Sequence, residues 1–81
     1  MPVNYKYNQA FCEAFGKHLR KLREKKGMTM RQFAIEADIE YSQLSKIERG
    51  VINTTISTAL TLSNALQVDV RELFKFKFPP E

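Results

Sequence analysis

The sequence predicts an all-α domain of five short helices, and three observations carry that prediction. Apolar residues recur at helical spacing along most of the chain, turn residues punctuate the runs, and Thr or Asp stands where runs begin. With 81 residues and 43% hydrophobic content, the chain supports one small packed core and no separate catalytic or ligand-binding domain. Short helices joined by brief turns give a compact bundle of low contact order.

The first helix covers about residues 9–26. Phe11, Phe15, Leu19 and Leu22 form one apolar stripe, Lys25 and Lys26 suit the negative end of the helix dipole, and Gly27 is the stop. Residues 29–50, TMRQFAIEADIEYSQLSKIERG, then read as two short amphipathic helices joined by a tight turn. Thr29 and Gln32 have capping-box spacing, and small Ala34 suits a close crossing of the two helices. Phe33, Ala37, Ile39, Leu44 and Ile47 are the other apolar positions. The second helix of the pair begins at Glu40 or Tyr41 and stops at Gly50. Residues 51–54 form a loop. Thr54 or Thr55 caps a fourth helix with Ile56, Leu60, Leu62 and Leu66, and Asp69 with Glu72 caps a short fifth helix, VRELF.

The ends follow a different period. VNYKY near the start and FKFKF at 74–78 alternate aromatic or apolar with polar residues, as strands do. The expected organisation is an extension at 1–8, a domain at 9–75 and an aromatic tail at 76–81, with short extended segments at the termini. Phe74 is assigned to the core. Phe76 and Phe78 are expected to pack as an extended segment near Tyr5 and Tyr7 of the same chain or of a second subunit; the alternative is a tail that orders only with a partner.

Charge and special residues narrow the function classes. The formal net charge is +4 and the pI about 9.4, which favours a polyanionic partner, although a solvated cationic face is the blander reading. The basic cluster Lys17, Arg20, Lys21, Arg23, Lys25 and Lys26 carries both readings. Cys12 is the single cysteine and reads as a packing thiol, so nothing ties the chain to an oxidising compartment. No leader pattern opens the chain and no apolar run approaches the ~20 residues of a membrane span, so a cytoplasmic location is expected. His18 reads as a surface residue. No metal-ligand spacing, phosphate-cradling glycine loop or catalytic triad is visible, so neither an enzyme nor a cofactor is expected.

Around the outward side of the third helix lie Tyr41, Ser42, Gln43, Ser45, Lys46 and Arg49. Such a surface offers donors and acceptors to base edges and phosphates. The separated strings LRKLREKKGMTMRQFA, IEYSQLSKIERG and TALTLSNALQVDVRELF together resemble the Cro/C1-type (XRE) helix-turn-helix regulators, over about residues 15–74. That resemblance implies a lambda-repressor-like five-helix domain and sequence-specific binding of double-stranded DNA as a small transcriptional regulator, most simply a repressor. The third helix, about 41–49, would enter the major groove of a near-palindromic operator as part of a homodimer.

By the same resemblance, Tyr41, Ser42 and Lys46 fall where the family reads bases, and Gln43 flanks them. Gln43 matches adenine bidentately and Lys46 suits guanine; a solvated helix face is the alternative for both. Tyr41 could stack on a sugar, touch a thymine methyl or bond a phosphate. Phosphate contacts are expected from Arg49, Asn53, Thr54, Ser45 and backbone N–H groups opening the fourth helix, with Asn53 read alternatively as a turn residue. The resemblance also implies that Glu48 pairs with Arg23 as scaffold and makes no base contact.

Two positions depart from the family. Met30 stands where many members have a bracing glutamine, with Arg31 as a substitute phosphate contact. Asp38 stands at the turn position usually held by glycine, and tolerates a left-handed backbone better than most residues. The alternative function is a protein-interaction module, or an antitoxin-type partner-binding protein, on the same fold. No small-molecule ligand is expected.

Overall fold

The computed structural model describes residues 8–79. Four α-helices are followed by a 3₁₀ turn: α1 Gln9–Lys25, α2 Met30–Ala37, α3 Tyr41–Glu48, α4 Ile56–Leu66 and the turn Val70–Phe74. The fifth helix of the sequence reading is therefore a single 3₁₀ turn.

Local chemistry accounts for most boundaries. Asn8 opens α1 by accepting the Phe11 N–H at 2.9 Å. Thr29 and Gln32 form the reciprocal capping box of α2. Thr55 accepts the Thr58 N–H at the start of α4, and Asp69 accepts the Arg71 N–H at the start of the turn. Glu72 does not complete a second capping box; its carboxylate is bonded to Lys75. Arg71 holds the Asp69 carboxyl down at about 2, so this cap stays ionised well below the ordinary carboxylate range.

All four α-helices end in the same way. After α1 the N–H of Gly27 donates to Glu24 and that of Met28 to Arg23; α2, α3 and α4 repeat the pair at Asp38–Ile39, Gly50–Val51 and Gln67–Val68. This Schellman geometry needs one residue in the left-handed region. Gly27 and Gly50 occupy it freely, at φ +73° and +72°, while Asp38 and Gln67 adopt it at 54° and 58° with side chains attached.

The core is formed by Phe15 and Leu19 of α1, Phe33, Ala34 and Ala37 of α2, Leu44 and Ile47 of α3, Ala59, Leu62 and Leu66 of α4, and Leu73 of the turn. On α4 the structure corrects the sequence reading. Ile56 is 88% exposed and Leu60 51%, and the inner face is Ala59, Leu62, Ser63 and Leu66. Phe74 is likewise 44% exposed, and its neighbour Leu73 is the core residue.

The tail is also corrected. Among the described residues there is no strand; Phe76 and Phe78 turn back onto α1, with ring centroids 5.4 and 5.1 Å from Phe11. Phe74 lies 5.1 Å from Phe15 in the same way. Tyr5 and Tyr7 fall outside the described residues. His18 is half-buried, not a free surface residue: Nε2 lies 2.8 Å from the Glu72 carbonyl oxygen, and the ring packs 5.6 Å from Phe76.

One close approach sets the packing of α1 on α3. A Cβ on Gly16 would run into the backbone carbonyls of Ile47 and Glu48, and one on Gly50 would meet the Glu13 backbone. Replacing Gly16→Ala forces the helices apart and should cost about 1–3 kcal/mol, as overpacking does. Thermal unfolding followed by circular dichroism measures it; an unchanged midpoint would mean that the helices are not in contact here.

Candidate nucleic-acid interface

α3 is eight residues long, too short to be stable alone in water. Its position comes from burial of Leu44 and Ile47 and from one ion pair. Arg23 of α1 donates from Nε to Glu48 Oε2 at 2.7 Å and from Nη2 to Oε1 at 3.0 Å. A third bond runs from Arg23 Nη1 to the Met28 carbonyl at 2.9 Å. The side chains are 10% and 6% exposed. Bonding to Glu48 pushes the guanidinium pKa further up, so Arg23 stays charged. α1, the α1–α2 connection and the end of α3 are thereby joined at one point.

Against this support, α3 presents its polar side outward. Tyr41, Ser42 and Lys46 are exposed and Gln43 is half-buried. Glu40 makes no side-chain cap, so among the described helices α3 alone opens without one. Arg31 of α2 lies over the Tyr41 ring, 5.5 Å from its centroid, which places a guanidinium beside the start of α3. Met30, next to Arg31, packs against the core.

The remaining site residues divide. Arg49 folds back on its own helix, its Nε donating to the Ser45 carbonyl at 3.3 Å and hydroxyl at 3.2 Å. Those bonds use a single N–H of the guanidinium's five. Asn53 is exposed in the loop. Thr54 corrects the sequence reading: its Oγ1 is enclosed, so the hydroxyl faces inward and not toward a phosphate. At α4 the Thr58 N–H is already taken by Thr55, which removes one of the expected backbone donors.

Asn53 and Thr54 border a cavity of about 210 Å³, lined also by Phe11, Cys12, Phe15 and Ile47. Burial pushes the Cys12 thiol pKa up, as for a packing residue. Among the described residues no three or more His, Cys, Asp or Glu side chains converge as a metal site. The tight Gly16 contact was missed by sequence reasoning; a glycine inside an otherwise helical run was its signal.

A helix-turn-helix family model, HTH_3, matches residues 19–73. The chain belongs to this helix-turn-helix family. Over 60 residues it is 40% identical to the HTH-type transcriptional regulator SlrR of Bacillus subtilis, a match covering 73% of this chain but 40% of SlrR. Control protein C.BamHI of Bacillus amyloliquefaciens is 33% identical over 63 residues, 76% of this chain and 78% of that protein. The crystal structure of the restriction-modification controller protein C.AhdI from Aeromonas hydrophila superposes with a TM-score of 0.79 at 35% identity, over 82% of this chain and 96% of that one.

The Arg23–Glu48 pair fits a scaffold role within this family fold. Replacing Glu48→Ala strands a buried guanidinium and should cost up to about 3–5 kcal/mol in urea unfolding. Replacing both partners, Arg23→Met with Glu48→Leu, should recover most of that loss because no charge is left alone. A double variant as unstable as the single one would argue that packing, not charge, is at stake.

Proposed function

We propose that this chain binds double-stranded DNA sequence-specifically as a small transcriptional regulator, with α3 in the major groove. The carrying observation is the outward face of α3, with Tyr41, Ser42 and Lys46 exposed on a helix braced from behind by Arg23 and Glu48. In this reading Tyr41, Ser42, Gln43 and Lys46 meet bases, while Arg31, Ser45, Arg49 and Asn53 meet phosphates. The net charge of +4 supports a polyanionic partner, and similarity to a control protein and to a restriction-modification controller protein supports a regulatory role.

The test is fluorescence anisotropy with DNA from upstream of the chain's own gene, beside random DNA, at two salt concentrations. Binding should weaken by about 10³ or more between 50 and 200 mM salt if six or more phosphates are contacted. Gln43→Ala and Lys46→Ala should each cost about 1–3 kcal/mol on the specific site, whereas Arg49→Ala should weaken all DNA alike. Equal affinity for upstream and random DNA would refute specific regulation.

The same reading includes a homodimer. Ile56, Leu60 and Phe74 are large apolar residues left exposed, the first two one turn apart on α4. A two-fold contact there would bury them and set two copies of α3 on successive turns of DNA, about 34–36 Å apart. Ile56→Glu should then shift sedimentation equilibrium to the monomer and lower DNA affinity; a dimer that survives this change must use another face.

A further inference from the structure

The basic cluster of α1 is not one surface. Arg23 is buried against Glu48, and Arg20 is paired with Glu24 at 3.2 Å. Lys17 and Lys21 instead line a groove of about 390 Å³ between the outer side of α1 and the tail. Its apolar lining comes from Ala10, Ala14 and Phe76, and Lys77 adds a third ammonium. Among the described residues Glu13 is its one acidic lining residue, and it accepts a bond from Gln9 Nε2 at 3.3 Å. Among the described residues, Lys17 and Lys21 against Glu13 leave the α1 side of the groove positive.

We propose that this groove docks an acidic segment of a partner protein, anchored by one large apolar side chain between Phe76 and the alanines. Three observations favour this occupant. The wall is already built: Phe76 is held between Phe11 and His18, and His18 is bonded at the Glu72 carbonyl. Little ordering is left for binding to supply. The mixture is an apolar lining with ammonium groups on Lys17 and Lys21, four residues apart and so neighbours on the helix surface. A peptide with carboxylates on either side of an aromatic residue complements both features, whereas a nucleic-acid backbone uses only the charge.

The third observation is direction. At about 100° per residue, Lys17 and Lys21 lie about 100–160° around α1 from Gly16 and Arg23. Gly16 and Arg23 are the residues that face α3. A duplex against α3 would then leave the lysine side of α1 open, with Glu13 at the groove edge nearest the Gly50 turn. All lining residues except Lys21 fall outside residues 19–73, so the groove belongs to the flanks of the family domain.

The experiment uses the full chain and fluorescein-labelled heptapeptides at about 150 mM salt, where long-range charge effects are screened. One peptide has three Glu or Asp residues on each side of a central Trp, and a second has Gly in place of Trp. The Trp peptide should bind at least about tenfold more tightly. Lys17→Glu with Lys21→Glu should abolish that difference, while Lys25→Glu with Lys26→Glu, an equal change in net charge, should keep it. Loss of the difference in both double variants, or no preference for Trp, overturns the proposal. So does an equal fall in upstream-DNA affinity in the Lys17/Lys21 variant, which would assign the stripe to DNA. Peptide binding that persists where no specific DNA binding is found would separate this site from the DNA reading.

Discussion

The contact between α1 and the C-terminal end of α3 is the constraint on which the rest depends. Glycine at position 16 lets the α1 backbone lie against the last carbonyls of α3, and the Gly50 turn sits against the backbone at Glu13. That approach encloses the Arg23–Glu48 pair, with both side chains at or below 10% exposure. Burial weakens the case for such a pair as a source of net stability, because both ions lose their hydration. The arrangement is tolerable because the carboxylate receives two guanidinium bonds and a third goes to the Met28 carbonyl. Its effect is orientation: a helix of eight residues is held at one angle by a fork that fits one geometry.

Separation of support from display follows. The residues that hold α3 are Leu44, Ile47 and Glu48, and those that it shows are Tyr41, Ser42, Gln43 and Lys46. A change on the displayed side leaves the residues that hold the helix untouched. The start of α3 has no side-chain cap, and the Arg31 guanidinium lies over Tyr41 at the same end.

Helix starts and stops were legible because they rest on short-range chemistry. The capping box at Thr29, the turns at Gly27, Asp38 and Gly50, and the cap at Asp69 each involve residues within five positions of one another. What depends on distant partners was not legible. The α4 segment ISTALTLSNAL is apolar on more than one side, so periodicity could not choose between Leu60 and Ala59 as inward. The FKFKF alternation resembled a strand, yet Phe11 and Phe15 on α1 offered rings to pack against in a turn. Gln67 has no propensity for positive φ; the Schellman pair imposes it. Arg23 and Glu48 stand 25 residues apart, and only the family resemblance brought them together in the sequence reading.

Net charge was the least informative number until the basic residues were placed. Arg23 is spent inside the fold, Arg20, Arg71 and Lys75 face nearby carboxylates, and Arg49 leans on Ser45. Exposed pairs of this kind contribute little to stability but cancel local potential. The positive charge left by these pairings is therefore not spread evenly. One share lies with Arg31 and Lys46 around α3, and another with Lys17 and Lys21 on the outer side of α1. On the reading proposed above, a duplex against α3 would leave the Lys17 and Lys21 side of α1 in solvent. The aromatic tail matters to this division: by packing on Phe11 and His18 it turns the α1 lysines from a plain charged face into a groove with an apolar wall.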